Sequence, residues 1–300
     1  MRRDQQGIQV VDRVIETGDG RAILVQEGGD PAGHAILVLH GTPNSRMLYR
    51  PHVVDAAERA IRLISYDRPG YGRSTAQSGR SIADCAADVR AIIDALDIDR
   101  LAVWGISGGG PHALACASML PDRVVAAATL ASTAPFGAQD LDWFAGVGQE
   151  NVEGGELLLN DPAAARARLD RDRLELLSSP TSDARAANPT VVSPIDAAAL
   201  TEELAQYYEQ RNRDGLAGGV DGWWDDSVAL LSPWGFSLET IRVPVMVWHG
   251  RQDRMVSFAH GEWLVKHLPT AEAHLTDHDG HLTLFAARVP TVHAWLLRRF

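Results

Sequence analysis

The first 130 residues alternate between short apolar runs and segments whose apolar positions recur at helical spacing. Val10 to Glu16 and Arg21 to Glu27 read as two strands of a hairpin turning at Gly18-Asp19-Gly20. Ala35 to Leu39 is wholly apolar, the mark of a strand buried on both faces. The spacing then predicts a helix from Tyr49 to Arg59 and a strand from Arg62 to Tyr66. A Gly/Pro loop and a helix from Ile82 to Leu96 follow. A strand at Leu101 to Trp104, a helix from Pro111 to Leu120 and a strand from Val124 to Leu130 complete this half. Such alternation implies right-handed crossovers onto a mostly parallel central β-sheet flanked by helices, an α/β fold.

The pattern changes between 134 and 236. Strand signals vanish, and amphipathic helices are expected, for example Pro162 to Leu177 and Pro194 to Gln210. Sheet signals return with Val243 to His249, a helix from Phe258 to His267, the strand Glu272 to Thr276 and a closing helix. The expected organisation is therefore a core from 1–133 and 237–300 with an inserted α-helical cap at 134–236. Ligands of open α/β sheets bind beyond the C-terminal strand ends, so such a cap would roof the site.

Composition narrows the class. A chain of 300 residues, 45% hydrophobic and 22% charged, can bury a sizeable core. Its formal charge of -11, with no Lys/Arg cluster to form a basic stripe, argues against nucleic acid as a partner. Met1 to Gln6 leads into no apolar stretch of the signal-peptide kind, and no run reaches the ~18 residues of a membrane span. Cys85 and Cys116 fall in expected helices with nothing pairing them, so a cytoplasmic location is expected.

Ser107 lies in Gly105-Ile106-Ser107-Gly108-Gly109, between an expected strand and an expected helix. A serine hydroxyl is a weak nucleophile unless held proud of the surface beside a base and N–H donors. A sharp turn achieves that and demands near-absent side chains two residues away on each side, as at Gly105 and Gly109. The nucleophile needs an imidazole base, and the imidazole needs a carboxylate to fix its tautomer. Asp253 follows the strand Val243 to His249, and His281 follows the last strand within Asp277-His278-Asp279-Gly280-His281. All three positions come after strands.

With these residues the chain resembles the α/β-hydrolase fold superfamily over nearly its whole length. His40-Gly41-Thr42-Pro43 is similar to the H-G-x-P turn of that family, and Asp67-Arg68-Pro69-Gly70-Tyr71-Gly72-Arg73-Ser74 to its D-x-P-G-x-G-x-S loop. The resemblance implies that the backbone N–H groups of Thr42 and Gly108 form the oxyanion hole. It favours His281 over the competing His278 and His274, because Gly280-His281 matches the family's Gly-His ending. It implies acyl transfer with no metal and no organic cofactor. Relatives that cleave haloalkanes or epoxides carry Asp where Ser107 stands.

Other residues have competing readings. Asp253 could simply cap the following helix, and Asp277 and Asp279 are expected to orient their loop or face water. His112 is expected to be solvated or capping. His274, His278 and His281 lack the spacing of a helical H-E-x-x-H metal site. Gly108 to Ala113 satisfies G-x-G-x-x-A but lacks the acidic residue ~20 positions on that a dinucleotide site requires. Trp143, Phe144, Trp223, Trp224, Trp234 and Phe236 together suggest an aromatic acyl pocket, with His40 beside it, although any one of them alone reads more readily as helix-packing core. Asp225 and Asp226 are expected to be solvated. The expected function is hydrolysis of small or medium apolar carboxylic esters, small-molecule substrates, through an acyl-enzyme. Lactonase, C–C bond hydrolase, perhydrolase (haloperoxidase-type) and aminopeptidase activities are alternatives on the same triad. A non-catalytic ligand-binding role is the alternative of another class.

Overall fold

A computed structural model describes residues 2–3, 9–178 and 190–300. Its centre is one sheet in the order β1-β2-β3-β5-β4-β6-β7-β8-β9. β1 (Arg2–Arg3) is a two-residue edge strand, and β2 (Gln9–Glu16) and β3 (Ala22–Gly29) form the expected hairpin. β3 runs antiparallel to β5 (Ile61–Tyr66). β5, β4 (His34–Leu39), β6 (Leu101–Ile106), β7 (Val124–Leu130), β8 (Val245–Gly250) and β9 (Ala271–Thr276) are all parallel. Every residue of β6, β7 and β8 is buried, as strands covered on both faces require.

Side chains alternate between two cores, one on each face. Leu37, Val103, Ala127 and Val247 pack beneath α2 (Cys85–Ala95), α3 (Gly109–Met119) and the helix Phe258–His267. Ile36, Trp104, Ala128 and Met246 face α1 (Arg50–Glu58) and the C-terminal helix Val289–Leu297. Helices on both faces of a parallel sheet are what right-handed crossovers produce.

Between β7 and β8 the described residues form helices and no strand. These are α4 (Gln149–Asn160), α5 (Pro162–Ser178), α6 (Pro194–Ala199), α7 (Glu202–Gly215) and α8 (Asp221–Leu230). The single helix expected from Pro194 to Gln210 is two. Leu200 leaves helical geometry, and Thr201 starts α7 by accepting a 3.3 Å bond from Leu204 N–H. A threonine cap before two glutamates is a start signal that outweighed the continuous apolar spacing. Trp234 is buried and Phe236 stacks on it, both against the α2–α3 core, so these two are packing residues.

Candidate active site

Parallel strands end at one edge of the sheet, and the candidate site residues follow four of those ends. Ser107 follows β6 in left-handed backbone geometry, φ +56°, a conformation costly for any residue with a Cβ. Its N–H donates to Leu130 O at 2.9 Å, and its carbonyl accepts from Gly110 N–H at 2.9 Å. A Cβ at Gly105 would lie 2.1 Å from Gly109 O, and one at Gly109 would lie 2.0 Å from Leu39 O. The two glycines are thus a packing requirement of the turn.

Asp253, after β8, is buried. Its Oδ1 accepts from the N–H groups of Met255 and Val256 at 2.8 and 2.9 Å. Its Oδ2 lies 2.8 Å from His281 Nδ1. Asp253 therefore fixes its own turn and holds the imidazole, so capping and catalytic readings do not exclude each other. Burial would push the His281 ring below its usual pKa, but the charge and hydrogen bond of Asp253 outweigh it, and the net shift is upward. Burial would raise the Asp253 carboxyl, yet His281, with a smaller contribution from His249, holds it below the usual range. The two loops are sewn together by Arg251 N–H to Thr276 O (2.8 Å) and Gln252 N–H to Asp279 O (3.0 Å).

The neighbouring histidines differ. His278 is exposed, and His274 sits 3.0 Å from Glu272. Asp279 is buried and orients the loop through Thr276 Oγ1 (2.8 Å) and Arg288 Nη2 (3.0 Å), while exposed Asp277 pairs with Arg251.

Thr42 follows β4, the sheet neighbour of β6. A Cβ on Gly108 would stand 2.5 Å from Thr42 Oγ1, so the two turns touch. Gly108 immediately precedes α3, whose first N–H groups favour developing negative charge. His40 lies behind the Thr42 turn, buried, with Nδ1 donating to Gly41 O (2.8 Å) and Nε2 accepting from Arg68 N–H (3.4 Å). Burial and the Arg68 charge keep its ring neutral. Its expected place on a ligand-facing wall gives way to a bracing one.

Asp226 corrects the expectation of a solvated residue. It is fully buried and accepts from Thr42 Oγ1 (2.7 Å), Tyr71 Oη (2.9 Å), Arg80 Nη2 (2.6 Å) and Arg68 Nε (3.1 Å). Burial would raise its carboxyl, but Arg68 and Arg80 hold it well below the usual range. Arg68 also donates to the carbonyls of His40 and Gly41. Asp225 is likewise buried and accepts from Gly79 N–H. His112 is buried too, its Nδ1 bonded to Gly108 O. A dipeptide of two acids after two tryptophans gives no sign of these partners, because they lie about 150 residues away in the chain.

Trp143 and Phe144 are half-buried, with ring centroids 5.0 Å apart, and Trp143 donates Nε1–H to Ala134 O. Its ring meets His260 edge-on at 5.1 Å. Trp223 and Trp224 are half-buried on α8, with Arg166 over the Trp224 ring. Leu230, one turn beyond Asp226, brings its Cδ1 to 3.3 Å from the position of a Gly108 Cβ. Sequence reading passed over that residue.

A family profile described as alpha/beta hydrolase fold matches residues 34–287. The chain belongs to the α/β-hydrolase fold family. It is 27% identical over 249 residues to a non-heme chloroperoxidase of Streptomyces lividans, covering 82% of this chain and 83% of that protein. It is 29% identical over 276 residues to a 2-hydroxy-6-oxononadienedioate/2-hydroxy-6-oxononatrienedioate hydrolase of Burkholderia vietnamiensis, covering 89% and 87%. Among solved structures, an esterase from Exiguobacterium antarcticum superposes with a TM-score of 0.66 at 18% identity, over 96% of this chain and all of that one, a likeness of fold.

Proposed function

We propose that the protein is a serine hydrolase cleaving carboxylic esters of small or medium apolar substrates. Ser107 is the nucleophile, His281 the base and Asp253 its orienting acid, with the N–H groups of Thr42 and Gly108 as oxyanion donors. The observation that carries this reading is the 2.8 Å bond from buried Asp253 to His281 Nδ1, at the sheet edge where Ser107 holds its strained turn. With Nδ1 so engaged, Nε2 is the nitrogen that exchanges protons. His281 takes the Ser107 proton as Oγ adds to the ester carbonyl carbon, and returns it to the departing alkoxide as the C–O bond breaks. Water, deprotonated by the same nitrogen, then releases the acid and restores Ser107. Each oxyanion donor is worth about 3–4 kcal/mol of barrier.

Residues 134–236, whose described part holds five helices and no strand, serve in this reading as a cap, with Trp143, Phe144, Trp223 and Trp224 as its aromatic contribution to an acyl pocket. Among the described residues no helix is long and apolar enough to cross a membrane, and both cysteines are free and buried. A cytoplasmic enzyme is the compartment that suits them. A second reading, perhydrolysis or carbon–carbon cleavage on the same residues, draws on the names of the relatives.

A fluorophosphonate probe separates catalyst from receptor: wild type is expected to label and Ser107→Ala not to. Labelling of the Ser107→Ala protein would sink the nucleophile assignment. A p-nitrophenyl ester series from acetyl to palmitoyl then reports the pocket. Probe labelling without turnover of any ester transfers the case to the second reading.

A further inference from the structure

The base projects from a helical turn, His281–Thr283, whose first N–H groups have no partners within the turn. Its N-cap residue is Gly280, which has no side chain to offer. The missing acceptors come from 85 residues earlier in the chain. Asp196 Oδ2 accepts from His281 N–H at 2.9 Å, and Oδ1 accepts from Leu282 N–H at 2.8 Å and Thr283 N–H at 3.1 Å. Asp196 is fully buried, and Ser193 Oγ adds a fourth donor to Oδ2 at 3.0 Å. A Cβ at Gly280 would fall 2.4 Å from Asp196 Oδ2, so the glycine leaves room for the carboxylate.

We propose, resting on the reading of His281 as the base, that Asp196 is a positioning residue: a carboxylate supplied by α6 that fixes the turn from which the imidazole projects. A buried carboxylate is tolerated only when its lone pairs are met, and here three backbone N–H groups and a hydroxyl meet them. The bonds run to the backbone of the base itself, so they constrain where its ring originates, while Asp253 constrains how the ring turns. Misplacement of a reacting group by about 1 Å costs on the order of 100-fold in rate. The anchor also makes the base depend on a helix outside the β-sheet that bears the rest of the triad.

A charge so close acts on the ring as well as on its backbone. Among the described residues, the ionisable groups acting on His281 include Asp253 from the loop after β8, Asp196 from α6 and Arg211 from α7, and the His281 charge in turn acts on His249 from β8. Burial and Arg211 work against the protonated ring; Asp253 and Asp196 favour it. The pH profile therefore distinguishes a charged anchor from a mere packing contact.

The test is Asp196→Asn, nearly isosteric, whose amide must turn NH2 toward backbone donors on one side. With p-nitrophenyl butyrate, kcat is expected to fall about 10- to 100-fold with KM little changed, and the acid limb of kcat/KM to move to lower pH. A folded variant with wild-type kcat and an unmoved limb overturns the proposal. So does a variant whose activity falls only in step with its Tm, with the limb unmoved. If Asp196→Asn does not fold, Asp196→Glu decides, since it keeps the charge but displaces the carboxylate oxygens from the three N–H groups. Lower kcat at constant KM supports the anchor, and wild-type kcat overturns it. His281→Ala, assayed alongside, separates the two layers. If it stays active, the base assignment itself has failed; if it is dead while Asp196→Asn is normal, only the anchor has.

Discussion

Two side chains of opposite tendency, His281 and Asp253, set the proton balance of this site from 2.8 Å apart. Burial opposes both charges, yet each stabilises the other enough to win: the imidazole is raised above 6.5 and the carboxyl lowered below 3.8. With His281 as the proposed base, which must be neutral to act, kcat/KM should rise with pH through a midpoint above 6.5, as a pH–rate profile would read. Asp253→Asn removes the stabilising charge, so that midpoint should move to lower pH while kcat drops about 10⁴-fold. The same shifts act on folding with opposite signs. The stabilisation from His281 is full below 6.5 and fades as pH rises through its folded value. That from Asp253 is full above 3.8 and fades as pH falls through its folded value. Between the two histidines of the last loop, His281→Ala should lose several orders of magnitude in kcat, far more than any loss of folded protein accounts for. Exposed His278→Ala should stay within about two-fold of wild type, a surface substitution with no named mechanism of harm. The reverse ranking would move the base.

At the scale of elements, the turn around Ser107 shows how local sequence and packing agree. Gly105 and Gly109 are needed because backbone oxygens stand 2.1 and 2.0 Å from where their Cβ atoms would be. Gly105→Ala should therefore lower stability by about 1–3 kcal/mol or more, read as a shift in the urea midpoint. Gly154 is the contrast: it lies within α4 with nothing within 4 Å of its added Cβ, so Gly154→Ala should stabilise by up to about 1 kcal/mol. If both substitutions cost the same, the clash argument is wrong. Strands such as Ala35 to Leu39 were legible because both their faces are buried and their residues therefore uniformly apolar. The break at Leu200–Thr201 was not, since apolar spacing continues through it and only a threonine cap marks the new start. Asp196 was hidden for a related reason: in Ser193-Pro194-Ile195-Asp196 it reads as a residue of its own helix's first turn, and its N–H does bond Ser193 Oγ at 3.4 Å. Nothing local says that its carboxylate is spent on another helix.

At the scale of the whole molecule, two buried carboxylates join the helices between β7 and β8 to the loops at the sheet edge. Asp196 reaches the turn of His281, and Asp226 reaches the turn of Thr42. The second is also a charge cluster, with Arg68 and Arg80 both buried against one carboxylate. Asp226→Ala should cost about 3–5 kcal/mol, because it strands two guanidinium groups away from water. Calorimetric unfolding would measure this, and a variant as stable as wild type would show that the cluster does not hold the helices to the sheet. Thr42→Val removes only one of several donors to Asp226, so it should cost about 1 kcal/mol.

Periodicity alone determined the parallel sheet, its flanking helices and the helical interruption, because strand and helix periods are properties of neighbouring residues. That Ser107, Asp253 and His281 each follow a strand, and so sit at one edge of a parallel sheet, was legible for the same reason, while the preference for His281 over His278 came only from the resemblance of Gly280-His281 to the family's Gly-His ending. Tertiary structure decided which acids are solvated and which are spent. Asp226, expected in water, is buried against two arginines, and His40 braces the turn beside it. Those choices depend on which distant side chains share one low-dielectric space, and separation along the chain carries no record of it.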